Sequence, residues 1–159
     1  MPIPDFIVEL RRHVGHMPLP LAGVTAVVVR GDEILLGHRS DNGALTPVTG
    51  IVDPGEEPAD AACREALEEA GVVIRAERLV WVHQIARVTY HNGDQSDYLD
   101  LTFRCDWISG EPYPVDGEMS SIAWYPVAPS TMERLDDDMR RRVAAALADE
   151  PLARFEGGR

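Results

Sequence analysis

Cysteine is scarce: Cys63 and Cys105 are the only two in 159 residues. Neither has the spacing of a metal-ligand set or a disulfide framework, so both read as reduced thiols. Long apolar runs are missing too, none reaching the roughly 18 residues that a membrane span requires. The opening stretch MPIPDFIVELRRHVG lacks the basic-then-apolar order of an export signal. The expectation is a soluble, cytoplasmic protein with no membrane partner. Basic charge is also short, with 15 Lys and Arg against 27 Asp and Glu, a formal net charge of −12. Duplex nucleic acid is bound mainly through Lys and Arg on phosphates, so that partner class is disfavoured. No internal repeat, low-complexity segment or interdomain linker interrupts the chain. Residues 1–159 therefore read as one domain, long enough to bury about two thirds of its surface.

The apolar pattern alternates between strand and helix periods. Residues 4–14 carry Phe6, Ile7, Leu10 and Val14 at helical spacing. Met17-Pro18-Leu19-Pro20 follows as an extended connector, completing an N-terminal unit of residues 1–20. Val24 to Arg30, the turn Gly31-Asp32 and Ile34 to Arg39 predict a hairpin, and Leu45 to Thr49 a short strand. Val72 to Ile74, Arg78 to Val88, Asp97 to Trp107 and Ser121 to Tyr125 are further strand material, with Asn92-Gly93 marking a turn. Residues 131–149 predict a C-terminal amphipathic helix, and the tail from Arg154 reads as loose. Strands interleaved with helices, hairpins among them, predict an α/β protein with a mixed sheet covered on both faces. Trp81, Trp107 and Trp124 fall in strands, where core packing is the default.

Between these lies GIVDPGEEPADAACREALEEAGV, Gly50 to Val72. Pro58 suits a first helical turn and Gly71 the left-handed residue past the end, which predicts a loop followed by a capped helix. At about 100° per residue Glu65, Glu68 and Glu69 share one side, while Ala59, Cys63, Ala66, Leu67 and Ala70 share the other. The helix is expected to pack by its small residues and to aim its acids outward. Like charges at this spacing cost a helix a few tenths of a kcal/mol per pair, roughly, and only Arg64 is close enough to offset them. Converging carboxylates are hard oxygen ligands, suited to Mg²⁺ or Mn²⁺; a solvated charged face is the alternative. An acidic chain that acts on phosphate esters would itself imply a bound divalent metal.

The order Gly50, five residues, Glu56, seven residues, Arg64-Glu65, Ala66, one residue, Glu68-Glu69, one residue, Gly71-Val72 resembles the signature of the Nudix hydrolase family over 23 residues. Ala66 stands where the family usually has a larger aliphatic residue, and Val48-Thr49-Gly50 where many members read Pro-Gly-Gly. The resemblance implies an α/β/α sandwich with a mixed sheet. It implies Mg²⁺-dependent hydrolysis of a phosphoanhydride in a nucleoside diphosphate derivative, with water attacking phosphorus. Glu65, Glu68 and Glu69 match the metal-binding acids, and Gly50 the position whose carbonyl often joins them. Glu56 and Arg64 match a structural ion pair, and Arg64 counts with the glutamates among the catalytic set.

Glu118, ahead of the last strand, stands where a loop acid acting as general base is expected; an ordinary surface acid is its alternative. His38 and Arg39 end a hairpin whose basic residues often reach phosphate or base, and Tyr90 lies at an offset found in enzymes of dinucleoside polyphosphates. All three are candidate substrate contacts, or else a solvated strand end and simple packing. A small phosphorylated molecule, a nucleotide, is the expected partner, and exposed strand edges would support a homodimer. Two other readings compete. A nucleotide sensor that does not cleave would fit a broken signature, and this one is intact. An isomerase would need cysteine chemistry, whereas Cys63 is expected on the apolar side and Cys105 in mid-strand.

Overall fold

The computed structural model describes residues 3–158. Its elements run α1 Asp5–Val14, β1 Leu19–Arg30, β2 Glu33–Arg39, β3 Leu45–Thr46, β4 Val48–Ile51, α2 Pro58–Ala70, β5 Val73–Gln84, β6 Val88–Thr89, β7 Gln95–Ser109, β8 Met119–Pro126, α3 Pro129–Met132, α4 Asp137–Leu147 and β9 Arg154–Phe155. One mixed sheet carries the order β3-β2-β1-β7-β5-β9, with β4 beside β1, β6 beside β7 and β8 beside β2. β1 and β7 run parallel from Leu19↔Ser96 to Val29↔Asp106, and β5 pairs antiparallel with the other edge of β7.

The continuous apolar run of β1 follows from its central place. Val24, Ala26 and Val28 face α2, packing with Ala62, Ala66 and Ala70, while Val27 faces α4 with Val143 and Ala146. A strand buried on both faces needs no polar alternation. α1 covers a third cluster, setting Ile7 against Leu19, Leu21 and Tyr98. The expected α/β class, with a mixed sheet between helices, is what the chain adopts.

Several boundaries differ from the local reading. β1 begins at Leu19, inside the expected connector, because parallel pairing with β7 satisfies backbone that no local pattern reveals. Pro47 divides the expected Leu45–Thr49 strand: without an N–H it cannot continue a ladder, and the chain passes from β2 to β1 there. The C-terminal segment is two helices, since Asp136 breaks it by accepting the Met139 N–H at 2.8 Å as the cap of α4. The tail adds a two-residue strand, with Trp81↔Arg154 and Val82↔Phe155 paired to β5.

Candidate metal and substrate site

α2 is fixed at both ends by the residues its sequence provides. Pro58 opens it, and Gly71 closes it at φ 67°, in the left-handed region. A side chain at Gly71 would also strike Tyr113, whose Cε1 lies 2.5 Å from a built Cβ. Between these ends Ala61, Ala62, Ala66 and Ala70 are fully buried, so the helix axis comes close to β1 and β4.

That close approach overturns the expectation that the acids point outward. Glu65 is 1% and Glu69 0% exposed, whereas Leu67, assigned to the apolar side, is 53% exposed. The buried face is centred on the pairs 61–62, 65–66 and 69–70, about one residue round from the face read in the sequence. Glu65 fits there because Gly50 of β4 leaves room: a Cβ at Gly50 would lie 2.1 Å from Glu65 Cδ. Glu68 stays outside and pairs with Arg64 at 3.1 Å.

Arg64 ties the loop to the helix. Its Nε donates to Glu56 Oε1 at 2.8 Å and its Nη2 to Glu56 Oε2 at 2.9 Å and the Ile51 carbonyl at 3.0 Å. Its Nη1 donates to Glu65 Oε1 at 2.9 Å and to Glu68 Oε2 at 3.1 Å. All five donors of the fork are thus occupied. Glu56 also accepts the Asp53 N–H at 3.0 Å, closing the turn before α2.

The electrostatics are those of acids crowded out of water. Burial pushes the Glu65 carboxyl up to about 7, against the opposing pull of Arg64. Glu69 is raised further, first by burial and then by the charges of Glu118 and Glu65. Glu118 itself is raised by burial. Glu69 and Glu118 meet carboxyl to carboxyl, an arrangement that is a hydrogen bond only while a proton lies between them. Glu65 Oε2 and both Glu69 oxygens are buried without a protein N–H or O–H donating to them. Buried acceptors of this kind, hard oxygens beside a glycine-lined hollow, fit a divalent cation. Among the described residues no three acids stand ready as a finished cage, because Glu68 is held by Arg64.

A cleft of about 660 Å³ opens beside this group, its lining running from Gly50, Arg39 and Glu118 to Ile7, Val88 and Tyr90. Arg39 is clamped by Asp41, Nε to Oδ1 at 2.9 Å and Nη2 to Oδ2 at 3.0 Å. Tyr90 reaches Tyr98, hydroxyl to hydroxyl at 2.6 Å. His38 is instead engaged with the Gly43 carbonyl at 3.0 Å and Arg134 at 3.3 Å, and does not line the cleft.

Sequence reading missed the buried ion pair in the lining. Asp100 and Arg142, both buried, form an ion pair at 3.1 Å. Thr25 donates to Asp100 Oδ1 at 2.8 Å, Thr102 to Oδ2 at 2.6 Å, and Arg142 to Thr25 at 2.7 Å. Arg142 also pairs with Asp138, which accepts from His83 at 3.3 Å. Strand alternation puts Tyr98, Asp100 and Thr102 on one face and was the available signal. Both cysteines are free, Cys105 buried and Cys63 with its Sγ 3.6 Å from the Ile74 carbonyl. No helix of the described residues is long and apolar enough to cross a membrane.

A two-sided sheet with a glycine loop running into a helix of buried glutamates defines a class, the α/β/α proteins that gather acids at one helix. The family model described as the NUDIX domain matches residues 19–146, and the chain belongs to that family. Among curated proteins it is 28% identical over 137 residues to the NAD-capped RNA hydrolase NudC of Pseudomonas aeruginosa (strain LESB58), covering 82% of this chain and 44% of that protein. The chain thus spans less than half the length of that relative. A NUDIX hydrolase from Nitrosomonas europaea superposes with a TM-score of 0.63 at 25% identity, covering 79% of this chain and 87% of the other. An ADP-ribose pyrophosphatase from Streptococcus suis shares the fold, with a TM-score of 0.66 at 18% identity over 86% of this chain and 99% of the other.

Proposed function

We propose that the chain is a divalent-metal-dependent pyrophosphohydrolase that cleaves a phosphoanhydride in a nucleoside diphosphate derivative. The observation that carries this reading is the set of buried acceptors without protein donors, Glu65 Oε2 and both oxygens of Glu69, gathered with Glu118 beside Gly50. Leaving buried acceptor oxygens without donors costs about 1–3 kcal/mol each, so a fold that keeps them implies a ligand that offsets the cost.

Glu65, Glu69 and the Gly50 carbonyl would hold Mg²⁺ or Mn²⁺, and Glu68 would join them on leaving Arg64. Such ions, when bound, neutralise phosphate oxygens and orient the leaving group. Glu118, raised by burial and set against Glu69, is suited to take the proton of the attacking water. The water oxygen bonds to phosphorus, the bridging P–O bond breaks, and the departing phosphate carries away the electron pair. Arg39 lines the same cleft and presents positive charge to the phosphates. Glu56 and Arg64 brace the loop.

The names of the relatives support the substrate class. One is called an NAD-capped RNA hydrolase and another an ADP-ribose pyrophosphatase, and NAD and ADP-ribose are both nucleoside diphosphates joined to a second group. The net charge of −12 disfavours contact with the body of a nucleic acid, which favours a small nucleotide here.

The test is phosphate or nucleotide release over nucleoside triphosphates, nucleotide sugars, dinucleoside polyphosphates, NAD and ADP-ribose, with Mg²⁺, with Mn²⁺ and with chelator. At least one class should turn over with metal alone, and Glu69→Gln should abolish that turnover while the melting curve is kept. A blank panel with nucleotide binding intact would instead make the chain a sensor.

A further inference from the structure

We propose that the part of the cleft between α1 and the sheet seats a nucleobase, and that α1 together with the Tyr90–Tyr98 pair determines which base is accepted. This rests on the nucleotide reading above and assigns the non-reacting end of the substrate.

The cleft has two chemically different regions. Around Gly50, Arg39 and Glu118 it is charged, as phosphates and cations require. Away from the glycine loop its walls carry Ile7 of α1, Ile85, Val88 of β6 and the rings of Tyr90 and Tyr98, together with Arg11, His91, Asn92, Asp94 and Ser96. Arg11, Asn92, Asp94 and Ser96 are hydrogen-bonded within the protein, which leaves aliphatic and aromatic surface as the uncommitted part of these walls. A flat heterocycle matches them, since its faces are apolar and only its edge needs hydrogen bonds.

Edge partners are present. Asp100 and Arg142 also line the cleft, and the Nε–H of Arg142 is buried without a hydrogen-bond partner on a side chain only 3% exposed. A buried donor lacking an acceptor is costly, and a ring nitrogen or carbonyl of a base supplies one. The volume, about 660 Å³, holds a nucleotide-sized molecule.

α1 forms one wall and precedes residues 19–146, the segment that the family model matches. It is anchored rather than loosely apposed. Arg11 donates to the Gln95 carbonyl at 2.5 Å and to the Gly15 carbonyl at 3.1 Å, and lies 3.6 Å from Asp94. His16 reaches the same Asp94 at 2.8 Å, tying α1 to the β6–β7 turn that carries Tyr90. Wall and turn therefore hold one fixed width, which is what discrimination between bases of different size requires.

The experiment is isothermal titration of the metal-free chain with AMP, GMP, CMP and UMP, and with ribose 5-phosphate as the base-free probe. At least one nucleotide should bind about tenfold or more tightly than ribose 5-phosphate, the range expected of a base against such walls. Val88→Trp, which fills the cleft, should bring that ratio close to one. Tyr90→Ala, at an exposed position where folding is not at risk, should lower it. Equal binding of all five probes, or a ratio that neither variant moves, overturns the assignment. The two readings fail separately. Base-dependent binding without cleavage in the metal screen sinks the catalytic reading alone, and cleavage with no base preference sinks this one alone.

Discussion

Glu65 occupies the space that a side chain at Gly50 would need, with its Cδ 2.1 Å from a Cβ built there. Gly50 lies in β4, paired with Val24 of β1, and its backbone conformation is not one that excludes other residues. Steric room, not chain flexibility, is therefore what glycine provides at this position. Gly50→Ala should keep the fold but evict the Glu65 carboxyl, lowering apparent Mn²⁺ affinity by about 10–100-fold, the scale seen when groups supporting a metal ligand are disturbed. Calorimetric Mn²⁺ titration beside a thermal melt reads both effects. Unchanged affinity would remove Gly50 and Glu65 from the metal site.

The same crowding makes the metal-free chain sensitive to pH in a defined direction. Glu65 is raised to about 7 in the folded chain, and Glu69 is raised too, so the folded state holds protons that the unfolded state releases. Stability from this source is fully present below the ordinary carboxylate value of about 4.5 and is lost as pH rises through about 7. The loss should be on the order of a few kcal/mol. A divalent cation reverses it by stabilising the ionised carboxylates, so binding releases protons. Melts at pH 5 and pH 8, with chelator or with Mg²⁺, should show the larger metal-induced rise in Tm at pH 8. An equal rise at both values would mean that the cation binds elsewhere.

How much of this was legible in the sequence depends on distance along the chain. The caps of α2, its glutamates and the Glu56–Arg64 brace are local, and Pro58, Gly71 and the eight-residue separation announce them. Glu118 follows from its place before a strand. The face of α2 was misjudged because Leu67 looked like core and Glu65 like surface. The determinant was the empty space at Gly50, which belongs to another element. The Asp100–Arg142 pair joins residues 42 positions apart, and the packing of α1 on Leu19, Leu21 and Tyr98 depends on parallel pairing of β1 with β7. No local period carries that information.

Arg64→Lys tests whether the brace depends on charge or on shape. Arginine fills five donor positions reaching Glu56, Glu65, Glu68 and Ile51 at once, whereas a lysine has three donors on one atom and cannot span them. The charge is kept, yet the loop and helix lose their common anchor. Turnover should fall about tenfold or more by misplacement of the acids. A lysine variant with unaltered kcat and KM would show that charge alone suffices.

Arg142 holds a buried charge network on which stability depends. It is 3% exposed and pairs with Asp100 and Asp138, while Asp100 also accepts from Thr25 and Thr102. Removing the cation leaves a buried carboxylate with hydroxyl donors only, which typically costs about 3–5 kcal/mol. His83, stacked on Trp81 with ring centroids 3.6 Å apart, is held below its ordinary pKa by burial and by the Arg142 charge, against the opposing pull of Asp100 and Asp138. In the parent chain its protonation is disfavoured by folding, so stability is lost as pH falls below about 6.5, where the unfolded chain takes up the proton first. Arg142→Met removes one cause of that depression and leaves Asp100 to attract the imidazolium. The variant should therefore be less stable at neutral pH and lose less on acidification. Urea unfolding at pH 7.5 and pH 5.5 measures both quantities, and a variant whose pH slope matches that of the parent would uncouple His83 from this pair.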